Sequence, residues 1–207
     1  MAKQLSPEAR NALTLVKSQL QANDLAGAIG KIGRTFNNDI AVEVVEFMIE
    51  AGLDPLSYIQ KIPRRFLMNS GLTTIEIPDN IEGIGEEAFR NSSNLKEAIL
   101  EEGVEYISSN AFTNCTALSR VDLGTVTAIR DEAFSGCDSL KEIILPETVT
   151  MLGRNVFPEN IIIRSPHRKR KSLRFPKAEY DWYKNHLVLD ETLETLVVPA
   201  ADEGEVE

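Results

Sequence analysis

The 207-residue sequence holds only two cysteines, two histidines and one tryptophan, and aromatic residues make up 6% of it. The histidines, His167 and His186, stand in different segments with no partner at metal or triad spacing, so the commonest general acid–base group has no setting here. Two cysteines alone make no zinc site, and a disulfide-built secreted scaffold needs several more. No stretch approaches the roughly 20 apolar residues of a membrane span. The opening residues Met1 to Glu8 carry no apolar run of a secretory signal, which sets the expectation of a cytoplasmic protein without membrane association. Basic residues are in the minority, 22 against 32 acidic for a net charge of -10, which argues against a general nucleic-acid binder. Gly27-x-x-Gly30-x-x-Gly33 has neither the strand before it nor the spacing of a dinucleotide loop, and close helix packing accounts for it better. Glu86-Glu87 and Glu101-Glu102 have no apolar pocket around them to raise a carboxyl pKa. With no nucleophile, base and oxyanion set, the reading is of a protein with no enzymatic activity, cofactor, metal or small-molecule substrate.

What is present in quantity is repetition. Ala-Phe recurs at Ala88-Phe89, Ala111-Phe112 and Ala133-Phe134, with Val156-Phe157 as a degenerate fourth copy. A second signature keeps phase with it: Leu72-x-x-Ile75-x-Ile77, Leu95-x-x-Ala98-x-Leu100, Leu118-x-x-Val121-x-Leu123 and Leu140-x-x-Ile143-x-Leu145. A third lies between them: Ile81-x-x-Ile84, Val104-x-x-Ile107, Val126-x-x-Ile129 and Val149-x-x-Leu152. A unit this short cannot bury its own apolar face, so it must stack on its neighbours. Alternation in Leu-x-x-Ile-x-Ile reads as a strand buried on one side. The Val-x-x-Ile segment supplies the opposite wall, and the phenylalanine fills the space between. Successive copies then become parallel strands about 4.8 Å apart.

These residues resemble the BspA-like leucine-rich repeat family. The segment Leu140-Lys141-Glu142-Ile143-Ile144-Leu145-Pro146, continued through Val149 and Leu152-Gly153 to Phe157, carries the resemblance, as do Ile77-Pro78, Ile84-Gly85 and Ala88-Phe89. It covers residues 66–163. The resemblance implies a short right-handed solenoid and a protein-interaction scaffold without enzymatic activity. Many members of the family are bacterial surface proteins, and intracellular or phage-encoded copies are the better analogy for an N-terminus without a signal.

The flanks differ. Residues 1–65 show helical periodicity: Ser6-Pro7-Glu8 reads as a helix start, followed by Ala9, Leu13, Val16 and Leu20 on one face. Further helices are expected over 24–32, from Asn38 or Asp39 to Gly52 with Ile40, Val44, Phe47 and Met48 inward, and from Asp54-Pro55 to Ile59. Phe66 stands six residues before Leu72, as Phe89 does before Leu95, and marks the trace of a further repeat. Ile161-Ile162-Ile163 reads as a final strand. Residues 164–207 then comprise a basic loop, a C-terminal cap around Tyr180, Trp182, Tyr183, Leu187 and Leu189, and an acidic tail. The fold class is therefore mixed α/β: a solenoid of about four repeats, with a helical N-terminal cap domain and a small C-terminal cap, since open solenoid ends need cover.

Charge and strand alternation together nominate surfaces. Outward positions on the strands form columns of Thr74, Glu97, Arg120 and Glu142, then Glu76, Ile99, Asp122 and Ile144, then Pro78, Glu101, Gly124 and Pro146. This acidic, concave face with an isoleucine pair suits a basic protein partner, for instance as an inhibitor covering a nucleic-acid-handling surface. A merely soluble surface explains the acids equally well. An alternative rests on the basic run with Arg168, Lys169, Arg170, Lys171 and Arg174, which would suit nucleic acid or a ribonucleoprotein; a solvated loop balanced by the acidic tail is the plainer account of it. A third is a structural subunit of a larger assembly. Cys115 and Cys137 occupy the repeat position that Ser92 holds in the first copy, so they read as reduced core or turn residues. The sequons at Asn91 and Asn114 share one repeat position with Gly136 and read as turn residues.

Overall fold

A computed structural model describes residues 5–20, 38–50, 54–165, 173, 174 and 176–189 of the chain. Pro7–Leu20 forms helix α1. Ser6 starts it by accepting the Ala9 N–H at 3.1 Å, which satisfies one of the orphan donors of a helix start. The Ser6 hydroxyl donates in turn to Glu43 at 2.9 Å. Glu43 belongs to α2, Asn38–Glu50, so one carboxylate clasps the two helices together. Ala9 and Val16 of α1 and Val44 and Met48 of α2 are buried, whereas Leu13, Ile40 and Phe47 are only partly covered. Asp54-Pro55 starts a single 3-10 turn, Pro55–Tyr58, rather than a longer helix, with the Asp54 carboxylate accepting the Leu56 N–H at 3.0 Å. The helix expected over 24–32, with Gly27, Gly30 and Gly33, lies outside the described residues, as does Gly52.

The repeats coil into about five turns with two parallel sheets. One sheet consists of two-residue strands: β1 (Lys61–Ile62), β3 (Gly83–Ile84), β5 (Tyr106–Ile107), β7 (Ala128–Ile129) and β9 (Met151–Leu152), paired in that order without interruption. The other side carries the longer strands β2 (Thr74–Ile77), β4 (Glu97–Leu100) and β6 (Arg120–Asp122) in one group. A second group holds β8 (Glu142–Ile144), β10 (Ile162–Ser165) and β11 (Leu187–Leu189). Pairing matches equivalent repeat positions, such as Glu76 with Ile99 and Ile99 with Asp122.

The core between the sheets follows from the pattern. Ile75, Ile77, Ala98, Leu100, Ile143 and Leu145 point inward and are buried. Phe89, Phe112, Phe134 and Phe157 stack along the solenoid with centroids 4.9, 5.2 and 5.9 Å apart and planes within 7° of parallel. Burying such a ring is worth roughly 1.5–3 kcal/mol, so the stack is a main source of cohesion between rungs.

Turns repeat as strictly as strands. Asn69, Asn91, Asn114 and Gly136 all take φ between 60° and 71°, a region asparagine and glycine tolerate best. The Asn91 amide donates to Asn69 at 3.3 Å and the Asn114 amide to Asn91 at 3.1 Å, which is why both sequons sit at this position. Ser92 donates to the Leu67 carbonyl at 2.8 Å, and the Cys115 and Cys137 thiols lie 3.1 Å from the Phe89 and Phe112 carbonyls. Both thiols are buried and unbridged, and the hydrogen bond with Cys115, followed by burial, pushes the Cys137 thiol up.

The coiled part extends beyond 66–163 at both ends. Lys61 and Ile62 already pair with Gly83 and Ile84, and Phe66 is buried as a repeat phenylalanine should be. At the far end β10 is a fifth long strand, Arg174 bridges to Met151, and β11 adds in parallel to β10. Against the first rung, Glu46 of α2 accepts the Gly71 N–H at 2.5 Å. The side-chain amide of Asn80 donates to Leu56 and Ile59 carbonyls at 3.0 and 2.8 Å. Against the last, Tyr183 of α3 (Tyr180–His186) is buried, and its hydroxyl donates to the Gly153 carbonyl at 3.0 Å. Among the described residues, no helix is long and apolar enough to cross a membrane.

A candidate protein-binding face

The long strands place Glu76, Glu97, Ile99, Arg120, Asp122, Glu142 and Ile144 on one outward surface, with Glu101 just past the end of β4. Their exposure is uneven. Ile144 is 57% exposed, but Ile99 is half-buried between its neighbours on β2 and β6. The second exposed isoleucine is instead Ile162 of β10, at 43%. The apolar component of the face therefore lies on β8 and β10 and is not shared between β4 and β8.

Ion pairing also changes the charge pattern. Arg120 pairs with Glu97 on the adjacent strand. Glu142 accepts from Arg164 of β10 at 2.8 Å. Glu76, Glu101 and Asp122 have no ion-pair partner among the described residues, although Asp122 accepts the Gly124 N–H at 3.3 Å. These three carboxylates carry the field of the face, since a paired carboxylate contributes little at a distance. Arg164 and Ile162 escape a sequence reading because Asn160 stands where other rungs have the leucine of Leu-x-x-Ile. The run Ile161-Ile162-Ile163 also hides the alternation.

The face is divided between β6 and β8. No backbone hydrogen bond joins residues 119–124 to 141–146, and a slot of about 360 Å³ opens there. Val121 is half-buried where Ile75, Ala98, Ile143 and Ile163 are fully covered. The chain offers a reason. Three residues intervene between Ile77 and Ile81, Leu100 and Val104, and Leu145 and Val149, but only two between Leu123 and Val126. Gly124 turns this shortened corner at φ 50°, so close to the previous rung that a Cβ would lie 2.4 Å from the Leu100 carbonyl oxygen.

Other polar features are structural or lie apart from this face. Glu87 is buried at φ 58° and meets Arg65 and Arg90 at 2.5 Å each and Arg64 at 3.4 Å. The hydrogen bond from Arg65, working against burial and aided by Arg90, holds its carboxyl at about 2. A polar pocket of about 740 Å³ beside α3 is lined by Glu132, Asp138, Glu159, Glu179 and Trp182 among others. Trp182 stacks on His186 with centroids 4.2 Å apart. Among the described residues, no group of three or more His, Cys, Asp or Glu side chains is placed to hold a metal ion. Of the basic run, Arg164 lies on the long-strand face and Arg174 is exposed beside β9. Arg168, Lys169, Arg170 and Lys171 lie outside the described residues.

The chain is similar to known repeat proteins. Residues 60–174 match the model of the BspA type leucine rich repeat region, in six copies. A leucine rich cell surface protein from Faecalibacterium prausnitzii is 30% identical, over 52% of this chain and 33% of that one, with a TM-score of 0.44. The leucine rich repeat protein of T. pallidum is 23% identical, over 51% and 56%, with a TM-score of 0.43. A leucine-rich repeat protein from Bacteroides capillosus is 28% identical, over 47% and 80%, with a TM-score of 0.44. The chain thus spans about a third and just over half of the first two proteins. No curated protein matches it.

Proposed function

Because the chain belongs to the family of BspA type leucine rich repeat regions, we propose that it is a non-enzymatic binding module whose long-strand face docks a basic protein. The observation that carries this reading is the set of three carboxylates without an ion-pair partner among the described residues, Glu76, Glu101 and Asp122, beside the exposed Ile144 and Ile162 on strands braced in two groups. Unpaired acids steer a cationic partner toward the face, and exposed isoleucines supply area that desolvates on contact. Rigid strands present both without an ordering cost. A partner held this way has its basic surface covered, so the module acts as an inhibitor wherever that surface serves nucleic acid.

The flanks serve the same purpose. The hydrogen bonds from the Gly71 N–H to Glu46 of α2 and from Tyr183 of α3 to the Gly153 carbonyl support reading the flanks as covers for the solenoid ends. The test is affinity capture from the native cell with the wild-type chain and with the triple variant Glu76→Lys, Glu101→Lys, Asp122→Lys. Basic proteins retained by the wild type should elute with salt and be absent from the variant; an unchanged retained set rejects the face.

A further inference from the structure

We infer that the break between β6 and β8 is a receptor slot into which an extended segment of the basic partner adds as a strand. The inference rests on the docking face proposed above and identifies the part of it that engages the partner's backbone. At the intact junction β8/β10, the Ile162 N–H donates to Lys141 and the Leu145 N–H to Arg164, each at 2.8 Å. Backbone groups alternate in direction along a strand, so those of Glu142 and Ile144 turn the opposite way, toward β6. On β6 the Arg120 N–H is committed to Lys96, and by the same alternation Val121 turns its N–H and C=O toward β8. None of these groups finds a backbone partner across the slot.

Each wall therefore offers donors and acceptors at strand spacing. An extended peptide matches both walls, since it too carries one donor and one acceptor per residue. The surrounding side chains specify its chemistry further. Asp122 at the outer rim has no cation among the described residues, and the inward Val121 beside it is only half-buried, so the favoured segment alternates a basic residue facing out with an apolar residue facing in. The Cα atoms of the two strands still approach within 8 Å, whereas an inserted strand requires roughly 9.5 Å, twice the normal spacing. The slot must therefore widen by at least about 1.5 Å. No ladder bond has to break for it to do so, and the paired strands β7 and β9 behind it act as the spine on which it opens.

A short acetylated and amidated peptide of alternating lysine and valine, titrated into the full ¹⁵N-labelled chain, tests this, with the glutamate–valine peptide as control. The lysine peptide should shift the amides of Val121, Glu142 and Ile144 and slow their hydrogen exchange by about tenfold or more, and the control should not. Inserting one residue between Gly124 and Thr125, which restores the corner length of the other rungs, should weaken binding by at least about tenfold. Protection confined to other residues, or undiminished binding by the insertion variant, overturns the slot. If the insertion variant binds normally while the triple charge reversal does not, the docking face survives and only the slot falls. Should the insertion prevent folding, exchange in the free wild type decides. Val121, Glu142 and Ile144 amides must then exchange at least about tenfold faster than that of Ala98, and equal protection overturns the proposal.

Discussion

The two sheets of the solenoid are made by the same rungs, yet the short-strand sheet runs unbroken from β1 to β9 while the long-strand sheet divides between β6 and β8. The contrast separates two determinants that a repeat normally keeps together. Apart from the half-buried Val121, the inward side chains are covered in every rung, so the core and the phenylalanine stack pass through the division with little change, from 4.9 to 5.9 Å. Ladder pairing depends instead on corner length, and one residue missing between Leu123 and Val126 leaves one side of the coil unpaired. A solenoid can therefore lose a junction on one side without losing its core.

The largest expected effect comes from the element both sheets share. Phe112→Ala opens the middle of the stack and should cost about 3–5 kcal/mol, with exchange protection falling in both sheets together. Protection lost on one side only would show that the sheets are held separately. Gly124→Val should cost about 2 kcal/mol or more, because its φ of 50° strains a branched residue and the Leu100 carbonyl leaves no room. Chemical denaturation checks this, and a change below about 0.5 kcal/mol would mean the corner is not under constraint.

Glu87 offers a test at the first rung, far from the division. The arginines around it, Arg65 first, hold its carboxyl down at about 2 in the folded chain, below the ordinary 4.5. A lowered folded pKa means the stabilisation is complete above the unfolded value and is lost as pH falls from 4.5 toward about 2. Glu87→Gln should cost about 1–2 kcal/mol at neutral pH, discounted because its arginine partners are solvated. It should also flatten the acid limb of stability against pH, whereas an acid limb identical to wild type would show that the cluster contributes nothing. The smallest effect is expected for Gly136→Asn, which extends the Asn69–Asn91–Asn114 ladder by one rung. The neighbouring Asn114 side chain must turn to admit it, so stability should stay within about 0.5 kcal/mol of wild type.

Much of this fold is legible in the sequence because a solenoid writes each contact once per rung. Phe89 predicts Phe112, and Ser92 predicts the setting of Cys115 and Cys137. The columns of outward residues follow from alternation alone. What is not legible depends on side chains meeting across rungs or on small departures from the period. Nothing in the spacing says that Arg120 turns to Glu97, or that Arg164, read as part of a basic loop, reaches Glu142. Ile99 and Ile144 look equivalent in sequence, but only Ile144 borders the division and stands open. The division does leave a trace, the three-residue step from Leu123 to Val126, which a search for similarity among repeats passes over. The first rung is similarly obscured: Ile59-x-x-Ile62 keeps the short-strand motif, but Glu50 and Pro55 stand where the next rung has Leu72 and Ile77, so the long-strand half of the pattern is missing.

The most direct measurement is the residue-resolved amide footprint of a captured partner on the ¹⁵N-labelled chain. A docking long-strand face predicts perturbation concentrated on β2, β4, β6 and β8, around Glu76, Ile99, Asp122 and Ile144, and diminishing as salt is raised. A footprint on the short-strand sheet or on α1 and α2, with those strands untouched, would contradict it.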